Sequence, residues 1–185
     1  MHLLAISGSL RTGASNTALL EAVRRVVPPG VTVQVYSGVG ALPHFNPDLD
    51  SPDSAALPPE VAELRALVGR ADALLLSTPE YAHGLPGAFK NVLDWLVGSV
   101  EFPGKAVAVI SPTARSIHAQ AQLGEVLSTM SARLLKAVPV TVELPRRNMG
   151  PDEIAADRHL ATLLRAFLED IVRAPGANSM QCVRR

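Results

Sequence analysis

Cysteine is almost missing from this chain: Cys182, in the terminal stretch, is the only one. It has no partner for an internal disulfide, and neither a cysteine metal cage nor a redox dithiol can be built, so a reducing cytoplasm fits best and no metal site is expected. Charge of one sign is also missing, because 17 basic and 17 acidic residues cancel. Without a broad basic face, nucleic acid and anionic membrane surfaces are not expected partners. No stretch reaches the roughly 18 consecutive apolar residues of a membrane span, and the opening run Met1 to Ile6 carries no basic leader, so the chain is expected to stay in the cytoplasm. Two phosphate signatures are absent as well: neither G-x-G-x-x-G nor G-x-x-x-x-G-K-[ST] occurs, which removes the usual evidence for a dinucleotide or a P-loop triphosphate.

What is present is a β-α alternation repeated five times. Apolar runs at Leu3–Ile6, Val31–Tyr36, Ala73–Leu76, Ala106–Ile110 and Val138–Val142 read as strands. Those around Leu3, Leu74 and Val107 are continuously apolar, as strands are when helices cover both faces of a sheet. Helical spacing recurs over Ser15–Val27, Pro59–Gly69, Leu85–Val97, Ser116–Lys136 and Pro151–Val172. With right-handed crossovers, this order implies an α/β three-layer sandwich around a five-stranded parallel sheet of order 2-1-3-4-5, the flavodoxin-like arrangement. At 185 residues and 48% hydrophobic composition, one compact domain over residues 1–174 is expected, followed by a loop-like or disordered tail at 175–185. The proline-rich segment Gly38–Pro59 reads as a long surface loop, a place for a lid or a subunit contact.

Ligands in such sheets gather at the carboxyl ends of the strands, and the informative loops all follow strands. The first runs from Ser7 to Thr17. A phosphate needs converging donors, and a helix start supplies unpaired N–H groups at the positive end of its dipole. Ser7, Ser9, Ser15, Asn16 and Thr17 add side-chain donors, Arg11 adds a charged fork, and Gly8 and Gly13 allow sharp turning or close approach. The plainer reading is a βα turn with Ser15 as helix cap. A monophosphate suits the loop better than a longer phosphate chain.

The second loop, from Thr78 into a helix that ends near Trp95, has the parts a planar ring needs. Pro79 stiffens the backbone, Glu80 offers main-chain groups, Tyr81 can cover a ring, and Gly84 permits close approach. Phe89, Leu93, Trp95 and Leu96 read as core or interface. His83 is either a general acid, given its titration range, or a surface histidine. Together the loops hold two ends of a mononucleotide, with flavin the leading candidate.

Gly8-Ser-Leu-Arg11 with Ser15 and Asn16, followed by Pro79-Glu-Tyr81, Leu85-Pro-Gly87, Lys90-Asn91 and Asp94-Trp95, resembles the NADPH-dependent FMN reductase family. The resemblance implies a flavodoxin-like fold, bound FMN, oxidation of NADPH or NADH, and a homodimer or homotetramer. Carried over by position, Ser9, Arg11, Ser15 and Asn16 look like phosphate contacts, and Pro79, Glu80 and Tyr81 like isoalloxazine contacts made largely through main chain, with Gly84 beside them. Two departures stand out. Ala82 occupies a position where many relatives have asparagine, and the loop Ser111 to His118 replaces a glycine-rich stretch, leaving Ser111 and Thr113 to border the flavin and Arg115 to meet a nicotinamide-cofactor phosphate or simply solvent.

The expected activity is ping-pong hydride transfer from NAD(P)H through FMN to a small-molecule electron acceptor: a quinone, azo or nitro compound, metal oxyanion or free flavin. The cofactor carries the chemistry, so no side-chain nucleophile is required. Two other classes remain open: a flavodoxin-like electron carrier, and a non-redox hydrolase or binding module on the same fold.

Overall fold

The computed structural model describes residues 1–50, 57–136 and 139–174. Strand β1 (His2–Ser7) is an inner strand of the sheet, where it is buried on both faces. Its neighbours are β2 (Thr32–Tyr36) and β3 (Ala73–Ser77), and β4 (Ala106–Ser111) follows β3, all parallel. The order is 2-1-3-4-5, the flavodoxin-like order expected from the sequence.

The continuous apolar runs divide by alternation between two cores, as the two-residue period of a strand requires. Leu3 and Ala5 of β1, Ala73 and Leu75 of β3, and Ala106, Ala108 and Ile110 of β4 face one layer. That layer is made by α1 (Ser15–Arg25), α5 (Pro151–Ala156) and α6 (Arg158–Arg173). Leu4, Ile6, Leu74, Leu76 and Val107 face the other, made by α2 (Pro59–Arg70), α3 (Gly87–Val97) and α4 (Ile117–Thr129). Helices on both faces explain why these strands carry no polar side.

The fifth position of the sheet is split. Two short strands, β5 (Arg133–Leu134) and β6 (Val140–Thr141), both pair with β4, one at Ala106–Val107 and the other at Ile110–Ser111. The expected strand Val138–Val142 therefore shortens to Val140–Thr141, with Val138 outside the described residues. The helix expected to reach Lys136 stops at Thr129. Ser131 takes a left-handed φ of 60°, Ala132 N–H donates to Leu127 O at 2.9 Å and Ser131 N–H to Ser128 O at 2.9 Å, the paired bonds of a Schellman closure. Serine in place of the usual glycine hid that stop.

The long helix expected over Pro151–Val172 is likewise two helices. Asp157 is extended and its Oδ1 accepts from His159 N–H and Leu160 N–H at 2.9 Å each, ending α5 and capping α6. Of the loop expected over Gly38–Pro59, the described part contains two single 3₁₀ turns, Gly38–Gly40 and Pro47–Leu49; residues 51–56 lie outside the described residues. The tail expected at 175–185, with Cys182, also lies outside them. No helix among the described residues is long and apolar enough to cross a membrane.

Candidate functional site

At the carboxyl edge of the sheet, the loops after β1, β3, β4 and β6 surround a cleft of about 830 Å³. The first wall is the start of α1. Ser9 N–H donates to Ser7 Oγ at 3.3 Å, Arg11 N–H to Ser9 Oγ at 3.4 Å and Ala14 N–H to Arg11 O at 3.1 Å, so the loop winds through consecutive tight turns into the helix. Gly13 stands at φ 68°, which a side chain would resist. Ala14, not Ser15, is the N-cap residue; it makes no side-chain cap, and the first turn contains no acidic residue. The positive end of α1 is thus left to whatever enters the cleft.

Asn16 is buried, and its Nδ2 donates to Ser77 Oγ at 3.0 Å. Its side chain therefore ties α1 to β3, while its main-chain N–H belongs to the uncapped first turn. Arg11 Nη2 donates to Gly13 O at 3.3 Å and to Asn148 Oδ1 at 3.0 Å, bridging the loop after β1 to the loop after β6.

The opposite wall follows β3. Gly8 N–H donates to Ser77 O at 2.8 Å, and a Cβ on Gly8 would come within 2.4 Å of Thr78 Oγ1, so the two loops touch backbone against side chain. Tyr81 and Gly84 exchange main-chain hydrogen bonds at 3.0 Å each, enclosing Ala82 and His83 in a two-residue turn with φ 48° and 58°. This is the turn geometry that asparagine and glycine favour, held here by two residues that pay a conformational cost for it. Tyr81 is half exposed at the lip of the cleft.

Glu80 sends its side chain away from the ledge. Its Oε2 accepts from His118 N–H at 2.9 Å and Ala119 N–H at 3.0 Å, capping α4. The Ala119 amide in the first place, helped by that of His118, holds the carboxyl below its usual range against a smaller opposing effect of burial. Leu85 N–H donates to Gln122 Oε1 at 2.7 Å, a second tie to α4. The ledge is therefore fastened at both ends of its turn.

Of the residues the sequence singles out, Ser9, Arg11, Ser15, Asn16, Pro79, Glu80, Tyr81 and Thr113 line one cleft, and Arg115 joins them. Thr17, Gly84 and Ser111 stand behind it. Thr17 Oγ1 meets Ser7 Oγ at 2.7 Å, Gly84 closes the Tyr81 turn, and the buried Ser111 hydroxyl donates to Thr113 O at 2.7 Å. Their first roles are to shape the loops. Sequence reasoning missed Glu143, Leu144, Arg146 and Arg147, which complete the lining from the loop after β6. The rule that ligands gather beyond strand ends, applied to the last strand, would have found them.

The cleft carries four arginines (Arg11, Arg115, Arg146 and Arg147) and two glutamates. Both glutamates accept main-chain amides, Glu143 Oε1 from Ala114 N–H at 3.0 Å, and Arg146 is paired with Glu153. The balance favours phosphorylated ligands.

A parallel sheet in this order, with an uncapped helix start and a stiffened ledge facing each other across its carboxyl edge, defines a flavodoxin-like α/β protein. More narrowly, the chain belongs to the NADPH-dependent FMN reductase family, whose sequence pattern it matches over residues 1–144. An NAD(P)H-dependent FMN reductase of Pseudomonas aeruginosa is 37% identical over 116 residues, 62% of this chain and 60% of that protein. A 2-hydroxy-1,4-benzoquinone reductase of a Burkholderia species is 32% identical over 121 residues, 63% of each. The chain spans about three fifths of the length of these curated relatives. Among solved structures, the flavoenzyme NAD(P)H:(acceptor) oxidoreductase FerB of Paracoccus denitrificans superposes with a TM-score of 0.65 at 26% identity, covering 94% of this chain and 98% of that one.

Proposed function

We propose that this protein is an FMN-dependent NAD(P)H oxidoreductase that reduces a small oxidised acceptor of the quinone class. The observation that carries this reading is the cleft itself: an uncapped, acid-free helix start beside Arg11 faces the Pro79–Tyr81 ledge across a space within the usual size of small-ligand sites. The residues fit the cofactor's two ends. The N–H groups at the start of α1, with Ser9, Ser15 and Arg11, hold a phosphate; the main chain of Pro79, Glu80 and Tyr81 meets the edge of a ring, and Thr113 borders it from the loop after β4. Asn16 and Thr17 act one step back, orienting the phosphate loop through Ser77 and Ser7.

Bound FMN supplies the hydride chemistry, so the protein's work is to orient, to desolvate and to admit partners in turn. The half-exposed Tyr81 ring flanks the approach to the ledge, and Arg115, Arg146 and Arg147 offer charge to the phosphates of a nicotinamide cofactor. Because both partners would react at the same flavin ring, the order is ping-pong, with oxidised nicotinamide leaving before the acceptor enters. A cytoplasmic setting matches the supply of NAD(P)H. The exposed Val97 at the end of α3 and Val100 just beyond it support a homodimer or homotetramer, in which burying them removes apolar area from water.

Steady-state consumption of NADPH or NADH with benzoquinone, before and after loading with FMN, tests the reading. Turnover that requires FMN is expected. A protein that holds FMN and oxidises neither nicotinamide is an electron carrier instead, and a colourless protein that cannot be loaded is a non-redox member of the fold.

A further inference from the structure

The turn that carries the ledge brings together three side chains that the proposed reaction leaves without a role. Glu80, His83 and His118 each place a ligand atom within 4.8 Å of the other two. We propose that they bind a divalent transition cation of the zinc class at the lip of the cleft, with the remaining position held by water. Two imidazoles and one carboxylate are a donor set that such cations accept, with an open fourth position.

Three observations support a prepared site. The carboxylate is oriented before any cation arrives: both amide bonds from α4 fall on Glu80 Oε2, which leaves Oε1 to coordinate, and outer hydrogen bonds of this kind are how ligating carboxylates are commonly fixed. His83 is held at a left-handed φ of 58° by the Tyr81–Gly84 turn, a conformation that costs energy in a residue with a side chain. That turn sets His83 against His118, the rings stacked with centroids 4.3 Å apart and planes 23° from parallel. Both histidines are exposed, so a modest rotation of each ring aims its nitrogen at a shared centre without disturbing the core.

A cation there latches the ledge to α4, adding a third tie to those of Glu80 and Gln122. The site lies outside the phosphate pocket, so binding depends on neither Arg11 nor the helix start.

Calorimetric titration of the untagged, FMN-loaded full chain with Zn²⁺, repeated with Co²⁺ while recording its d–d absorption, tests the proposal. One cation per chain is expected, with the intense d–d bands of four- or five-coordinate Co²⁺. His83→Ala and His118→Ala should each weaken binding by at least about tenfold. Absence of saturable binding, weak six-coordinate Co²⁺ spectra, or equal affinity in the His83→Ala/His118→Ala double variant would overturn it. The Co²⁺ spectrum of the unmodified protein decides the matter even where a variant fails to fold.

Discussion

Asn16 Nδ2 donates to Ser77 Oγ at 3.0 Å, joining the first turn of α1 to the last residue of β3 inside the fold. The bond sets the loop after β1 and the ledge after β3 at a fixed separation. Removing either partner leaves the other buried without its bond, at a cost of about 1–3 kcal/mol. Asn16→Ala is therefore expected to lower stability by that amount in urea unfolding and to weaken FMN retention at the same time. Loss of stability with undiminished FMN affinity would separate the bond from the cofactor.

In the proposed function, Arg11 serves one end of the cofactor only. Arg11→Ala removes a charged donor worth about 1.5–3 kcal/mol, which corresponds to a roughly 10- to 150-fold weaker binding of FMN. Riboflavin, which has no phosphate, should lose little. Fluorescence titration with the two flavins checks this, and equal weakening of both would refute the assignment.

At Gly8, the close contact between the loops leaves no room for a methyl group. A Cβ there would stand 2.4 Å from Thr78 Oγ1, 2.8 Å from Thr78 Cβ and 3.0 Å from Phe89 Cγ, and Phe89 is fully buried. Gly8→Ala should cost about 1–3 kcal/mol through overpacking and displace the ledge. A lowered melting temperature together with a reduced flavin content on purification is the expected result.

Much of this was legible in the sequence for identifiable reasons. The double-sided burial of Leu3–Ile6 and Ala73–Leu76 leaves a continuous apolar signature, and the strand order follows from the β-α alternation. The cleft residues of the first two loops sit directly after those strands, so topology brings them together without further information. What escaped depends on unusual residues doing common jobs. Ser131 closes α4 where glycine is the rule, Ala82 and His83 form a turn usually written with asparagine and glycine, and Asp157 breaks a helix whose apolar spacing continues across the break. The Asn16–Ser77 bond and the Glu80 cap on α4 span 61 and 38 residues, and no local pattern announces either.

Tyr36, at the end of β2, yields a pH prediction. Burial in the first place, with the charges of Glu63 and Glu60 behind it, pushes its phenol from 10.0 up to about 12. The folded protein thus holds this proton more tightly than the unfolded chain does. Its contribution to stability is complete below pH 10 and is lost as pH rises from 10 to about 12. Ultraviolet difference titration of Tyr81→Phe, which leaves Tyr36 as the single tyrosine, should show ionisation delayed towards pH 12, accompanied by alkaline loss of stability; ionisation near 10 with the fold intact would contradict the burial argument.

The proposed function requires the facing loops to hold a flavin where a nicotinamide can reach it. Anaerobic mixing of the FMN-loaded protein with NADPH, and separately with NADH, is the decisive measurement. Rapid bleaching of the yellow flavin absorbance by at least one of them, restored on adding benzoquinone, is the predicted result. A bound flavin that stays yellow with both would rule out nicotinamide oxidation at this cleft.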